Sequence, residues 1–163
     1  MSRLTYTAVT AENRDVFHRL MQMYAKELDE HQHRNTDPEQ LRRWTDRIIE
    51  KQFSTDRCLK LCCDSDKIIG FLNGKIDQPD DNGYKRVDWG YIMEFYVLPE
   101  YRRNGYGKEM LSHLESFFAE NGIKQIYLTA DPVTGKPFWG AMGYTATGEI
   151  SPDNDQEIYE KEL

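Results

Sequence analysis

The sequence predicts an α/β protein, a three-layer α/β/α sandwich in which helices cover both faces of a mixed central sheet. Three observations carry this. Apolar residues switch between helical spacing and strand-like alternation along the chain, in the order β-α-α-β-β-β-α-β-α-β-β. The segment 87–98 is apolar on both faces, as expected of a central strand covered from two sides. The 163 residues suffice for one substantial core, and no repeat, low-complexity tract or linker divides them, so 1–163 is read as a single domain.

The elements follow in order. Residues 4–9 alternate as a first strand, and Val16, Phe17, Leu20, Met21, Tyr24 and Leu28 then recur at three- and four-residue spacing as an amphipathic helix. A polar linker, 31–36, separates it from a second helix. That helix is announced by Asp37 as cap, Pro38 at the first helical position and Gln40 three residues after the cap. Leu41, Trp44, Ile48 and Ile49 supply its apolar stripe. Residues 58–63 and 67–76 read as neighbouring strands joined at Asp64-Ser65-Asp66, and 78–83 as an exposed loop. Pro99 ends the strand over 87–98. A helix carrying Met110, Leu111, Leu114, Phe117 and Phe118 closes at Asn121-Gly122. Strand 125–130, a turn-rich connector 131–136, a short helix 137–142 and two last strands, the final one over 157–160, complete the chain.

The formal net charge of −7 disfavours a general nucleic-acid partner. Residues 1–6 lack the apolar run of a signal peptide and no stretch approaches bilayer-spanning length, so the expected location is cytoplasmic, without membrane attachment. Cys58, Cys62 and Cys63 form an odd, crowded set that reads as reduced core cysteines rather than a disulfide framework or a zinc module, and no metal is expected.

The most informative segment is Arg102-Arg103-Asn104-Gly105-Tyr106-Gly107, set between an apolar strand and a long helix. Gly105 and Gly107 allow the backbone to approach an anion closely, and main-chain N–H groups at a helix start point toward phosphate oxygens. Arg102, Arg103 and Lys108 add positive charge to an otherwise acidic chain. A doubly wound dinucleotide fold is excluded because the turn follows the fourth strand, not the first. A nucleoside-triphosphate P-loop is excluded because Gly135-Lys136 is followed by Pro137 instead of a hydroxyl residue.

The segment from Val97 to Gly107, with Arg-x-x-Gly-x-Gly at Arg102, Gly105 and Gly107, resembles the acetyl-CoA-binding signature of the GCN5-related N-acetyltransferase (GNAT) family. Phe138-Trp139-Gly140-Ala141-Met142-Gly143-Tyr144 is similar to that family's aromatic-aromatic-x-x-x-Gly-aromatic segment. The resemblance implies the GNAT fold, with a V-shaped opening between the fourth and fifth strands that holds the pantetheine arm of acetyl-CoA. It further implies arm contacts from backbone groups at Phe95, Tyr96 and Val97, and pyrophosphate contacts from Arg102, Arg103, Asn104, Gly105, Tyr106, Gly107 and Lys108. Family members pass the acetyl group directly to an amine, so an N-acetyltransferase acting on a small-molecule or peptide amine is expected.

Such chemistry needs an unprotonated nitrogen, a polarised thioester and a proton for the departing thiolate. Glu94 interrupts the apolar run 91–97 and is the base candidate, because burial raises a carboxyl's proton affinity. Its alternatives are a structural carboxylate and an anion that orients the amine. Many relatives place a tyrosine where this chain has Trp139, whose indole N–H is not a general acid but whose ring can line the CoA tunnel. Tyr144, Tyr96 or solvent then remain as proton donors, with Tyr144 taken as the catalytic candidate. Asp131 and Thr134 read equally as pocket contacts or loop caps; His31 and His33 as exposed linker residues that an acceptor site could use; Glu27, Asp29 and Glu30 as a solvated helix end or an attraction for a cationic amine. The departure at position 139 also keeps open a CoA-binding sensor with little transferase activity, and pocket size decides whether a longer acyl group is used. An exposed sheet edge near the C-terminus is compatible with a homodimer.

Overall fold

The computed structural model describes residues 3–163, so the first two residues of the segment read as lacking a signal peptide lie outside it. The elements are β1 (Leu4–Thr7), α1 (Arg14–Gln32), α2 (Pro38–Lys51), β2 (Arg57–Asp64), β3 (Lys67–Ile76), β4 (Gly90–Val97), a single 3-10 turn (Pro99–Tyr101), α3 (Tyr106–Glu120), β5 (Gln125–Ala130), α4 (Gly135–Ala141), β6 (Thr145–Ile150) and β7 (Glu157–Glu162). This is the expected order. Among the described residues the strands form one seven-stranded sheet, β1-β2-β3-β4-β5-β7-β6, antiparallel except where β4 runs parallel to β5.

Two apolar cores, one on each face, make the three layers. On one face Phe17, Leu20 and Met21 of α1 and Ile48 and Ile49 of α2 pack on Leu59, Leu61, Phe71 and Tyr96. On the other, Tyr106, Met110, Leu111, Leu114 and Phe118 of α3 and Trp139 of α4 pack on Leu72, Ile92, Ile126 and Leu128. Among the described residues no helix is long and apolar enough to cross a membrane.

Several boundaries move, each for a local reason. The α2 cap stands as expected, with the Asp37 carboxylate accepting from the Gln40 amide at 3.3 Å. β1 stops at Thr7, and the Gln52 side chain then takes the place of a neighbouring strand for Val9, accepting from its N–H at 3.1 Å and donating to its carbonyl at 2.8 Å. β4 begins only at Gly90: Asp88 has φ +67° and bonds back to Asp77, which makes 87–89 the end of a loop. α4 begins at Gly135 rather than 137, which places Pro137 in the first turn, where a missing N–H costs no helical bond. α1 runs on through Gln32, so His31 belongs to its last turn and not to a linker.

Candidate active site

The parallel pairing of β4 with β5 is short. It joins Gly90 to Ile126, Tyr91 to Tyr127 and Ile92 to Leu128, and ends there, although β4 continues to Val97 and β5 to Ala130. The strands therefore splay toward their C-terminal ends. On its other edge β4 stays paired with β3 up to Val97, and the Leu98 N–H donates to the Ile69 carbonyl at 2.9 Å. Backbone polar groups alternate between the two edges of a strand, so Tyr96 bonds toward β3 like Leu98. Phe95 and Val97 present their backbone groups to the gap.

The glycine turn closes the wide end of this gap. Arg103 and Gly105 both take left-handed conformations, φ +64° and +81°, and α3 starts at the next residue, Tyr106. The first-turn amides of Tyr106, Gly107 and Lys108 have no helical carbonyl to bond, and together with the positive helix end they suit an anion. Gly107 sits in tight packing: a β-carbon there would lie 3.0 Å from the Phe138 ring of α4, which would have to give way. Arg103, Asn104, Gly105 and Lys108 are exposed, whereas Tyr106 is buried with its hydroxyl bonded to Asp64. Arg102 turns inward. It donates to the Val97 carbonyl at 2.9 Å and to both oxygens of Glu27 on α1 at 2.8 and 3.0 Å. Arg3, which no sequence signal singled out, donates to the Asn104 carbonyl and stacks over the Tyr106 ring at 4.4 Å.

Opposite the turn, on the α1/α2 face, lies Glu94. A β-bulge at Met93 puts it there: Ile92 is paired with Gly74 but Glu94 with Asn73, so the extra residue reverses the facing of the strand. Ile92 consequently enters the α3-side core, while Glu94 meets Asn73, which donates to it at 2.7 Å, and the indole of Trp44. Burial pushes the Glu94 carboxyl up to about 7; Asn73, Trp44 and the charge of Arg57 offset only part of that desolvation. Tyr24 of α1 packs on the same face, its ring 5.7 Å from Phe71 and 5.6 Å from Tyr96. Tyr91 stacks on Tyr127 with centroids 4.6 Å apart.

The rim is built from loops. His31 bonds Asp131 at 2.9 Å, and Asp131 also accepts from the Thr134 amide and hydroxyl and from Gly135. Burial opposes the Asp131 charge, but these hydrogen bonds outweigh it and hold its pKa below the usual carboxylate range. Arg34 donates to the Asn154 carbonyl at 2.6 Å, and Asn154 to Thr129 at 2.8 Å, which ties the α1–α2 and β6–β7 loops to β5. Asp131 thus caps its own loop. Glu27 holds Arg102 and Asp29 holds Thr36, so neither of these carboxylates is left as a loose helix-end charge. His31 is largely buried, contrary to its reading as exposed.

The aromatic segment packs along the β4–β5 seam, but with unequal access. Trp139 is buried against Phe95 at 5.2 Å, beside the gap. The Tyr144 hydroxyl donates to Glu115 at 2.9 Å, and Lys161 donates to the same oxygen at 2.9 Å. Lys161 is paired with Ile126, so this cluster sits at the closed end of the β4–β5 seam, away from Phe95 and Val97. A separate cleft of about 460 Å³ between α1 and α2 is lined by Gln22, Lys26, Asp29 and Arg34, and includes neither Glu94 nor the turn. The three cysteines are free; burial raises the Cys58 thiol to about 11 and holds Cys62 well above its usual value, which leaves both inert. Among the described residues no group of three or more His, Cys, Asp or Glu side chains is gathered to hold a metal ion.

Comparison with known proteins places this arrangement. The model of the acetyltransferase (GNAT) family matches residues 17–144. A GNAT-family acetyltransferase from Staphylococcus aureus superposes with a TM-score of 0.77 at 15% identity, over 98% of this chain and 99% of its own. The PaiA N-acetyltransferase from Thermoplasma acidophilum, crystallised with coenzyme A, gives 0.74 at 18% identity over the full length of both chains. A GCN5-related N-acetyltransferase from Ralstonia eutropha gives 0.68 at 21% identity, over 91% of this chain and 96% of its own. Among curated proteins none matches.

Proposed function

We infer that this chain, which belongs to the acetyltransferase (GNAT) family and is an acetyl-CoA-dependent N-acetyltransferase, transfers the acetyl group directly to a primary amine of a small molecule or peptide, with Glu94 as the base. The observation that carries this reading is Glu94 itself: a buried carboxyl poised near neutrality, turned by a bulge onto the face of β4 opposite α3, one residue from the gap-facing backbone of Phe95. When bound, acetyl-CoA supplies the activated acetyl group; the chain's own groups hold and orient it. In this reading the backbone of Phe95 and Val97 pairs with the pantetheine arm, Trp139 walls its channel, and the amides of the turn with Arg103 and Lys108 hold the pyrophosphate. Asn104 and Gly105 shape that turn, and Tyr106 anchors it through Asp64. Arg102 and Tyr96 act through their packing on α1, and Tyr144 braces the closed end of the seam.

The amine enters across the α1/α2 face, framed by Tyr24, Tyr91 and the loops joined by Asn154. Its nitrogen becomes strongly acidic as it bonds to the thioester carbon, and a carboxylate ionising near pH 7 accepts that proton without having to be a strong base beforehand. The whole chain acts as one domain, and a cytoplasmic location is proposed with it. Glu94→Gln keeps the shape and the Asn73 contact but cannot take a proton. Its kcat is expected to fall about 10²–10⁴-fold while CoA binding stays intact, measured by CoA release and by thermal stabilisation. A turnover equal to that of the parent chain removes Glu94 from the base role. If CoA binds and no amine from a broad panel is acetylated, a CoA sensor replaces the transferase.

A further inference from the structure

We propose that His31 is a positioning residue: from the last turn of α1 it holds the β5 lip of the β4–β5 opening, through Asp131, at the width the pantetheine arm requires. The inference rests on the reading above that lays the arm in that opening, and it extends that reading to the face of the sheet opposite α3.

α1 belongs to both halves of the sheet. Phe17, Leu20 and Met21 anchor it by apolar packing on Leu59, Leu61 and Phe71, in strands that precede the opening. One lip of the opening is the end of β4, where Arg102 donates to the Val97 carbonyl and to both oxygens of Glu27. The other lip is the end of β5, where Asp131 follows directly on Ala130. His31 stands one turn beyond Glu27 on the same side of α1, and its Nδ1 lies 2.9 Å from Asp131 Oδ1. Successive turns of one helix thus grip the two lips. Two further contacts flank the second grip: Gln32 accepts from Gln156 at 3.1 Å, and Arg34 donates to the Asn154 carbonyl at 2.6 Å. Asp131, Asn154 and Gln156 all belong to the β5–β7 half.

The His31–Asp131 contact is built as a tie. Oδ2 of Asp131 takes the Thr134 amide and hydroxyl and the Gly135 amide, which fixes the carboxylate and keeps it ionised. An ionised carboxylate only accepts, so Nδ1 carries the proton and the imidazole donates. The two side chains are 16% and 8% exposed, which shields the bond from competing water.

The width matters because past Ile92 and Leu128 the strands β4 and β5 no longer pair. Paired strands lie about 4.8 Å apart, so an arm lying between these two as a strand needs them roughly 9–10 Å apart. Trp139 against Phe95 braces the opening on the α3 face, and the end of α1 braces it on the other. With the tie in place the gap is already set for the arm. Without it only a fraction of molecules has the right width, and the apparent affinity for the arm falls by that fraction.

His31→Leu keeps the bulk and removes the donor. By isothermal titration its Kd for CoA is expected to rise about tenfold, while its Kd for 3′-phospho-ADP, the coenzyme without its arm, stays within about twofold of the parent value. His31→Asn puts an amide N–H where Nδ1 stood and is expected to bring the CoA affinity back to within about threefold of the parent. Because the readout is a ratio between two ligands of one protein, partial unfolding leaves it readable. Should His31→Leu not fold, Gln32→Ala cuts the neighbouring contact and is expected to raise the CoA Kd about threefold with the same selectivity; an unchanged Kd there counts against the tie. An equal loss of both ligands in His31→Leu, a CoA Kd within about twofold of the parent, or no recovery in His31→Asn overturns the assignment. A parent chain whose Phe95 and Val97 amides exchange as fast with bound CoA as without it refutes the place of the arm in the gap, and the role of His31 falls with it.

Discussion

Glu94 sits where a carboxylate is costly to ionise, and both its reactivity and its effect on stability follow from that. Its pKa rises from 4.5 to about 7 on folding. Below about pH 4.5 the group is protonated in folded and unfolded chains alike and costs nothing. As pH climbs to about 7 the unfolded chain releases the proton and the folded chain does not, so stability declines through that window. Above it the full cost of the buried charge is present, on the order of 3 kcal/mol by linkage. Glu94→Gln is therefore expected to unfold at a higher temperature than the parent at pH 8, with the gap closing near pH 4, as read by calorimetry. The activity trend runs the other way: kcat/KM should rise with pH through about 7, and the acid limb should vanish in the variant. Glu94 was legible because a charge inside an apolar run stands out. The bulge that aims it was not, since the inserted Met93 is as apolar as its neighbours. The partnership of Arg102 with Glu27 joins residues on two separate elements, and no local pattern encodes it.

Among elements, the turn into α3 shows how much geometry a short motif specifies. Gly105 at φ +81° has a backbone that a β-carbon strains by about 1–2 kcal/mol. Gly105→Ala is expected to lower the melting temperature by roughly 2–8 °C and, on the proposed phosphate contacts, to weaken acetyl-CoA binding more than that loss explains, because the first-turn amides of α3 turn with it. Arg103→Ala should leave the melting temperature of the free chain within about 1 °C, since Arg103 is exposed, and weaken CoA more than pantetheine, which lacks the pyrophosphate, by isothermal titration. Unchanged affinity would assign the phosphate grip to the backbone alone. This turn, the α2 cap and the order of elements were readable because each rests on residues a few positions apart. Strand ends were less so. Residues 87–89 continue the composition of β4, but Asp77, brought near by the β3–β4 turn, claims their backbone.

At the scale of the molecule, the two cores lie on opposite faces of one sheet, and the first four strands pair with the last three through a three-residue seam of β4 with β5, backed by α3 and α4. The three layers could be foreseen from periodicity; the place where the sheet parts could not, because splaying is set by register. Acetyl-CoA is expected to raise the melting temperature with the logarithm of its concentration, by about 2.7 kcal/mol of stability at a hundred times its Kd. The splayed seam has a further mechanical meaning. Past Ile92 and Leu128 the sheet lacks a rung, and a ligand whose amides pair with Phe95 and Val97 acts as a temporary strand, stapling two half-sheets into one. Deuterium exchange should register this as slowed exchange at Phe95 and Val97 when CoA is added, spreading to β5 across the gap. The cofactor, on this account, is also a structural member of the fold, and the chain is stiffest while it is loaded for reaction.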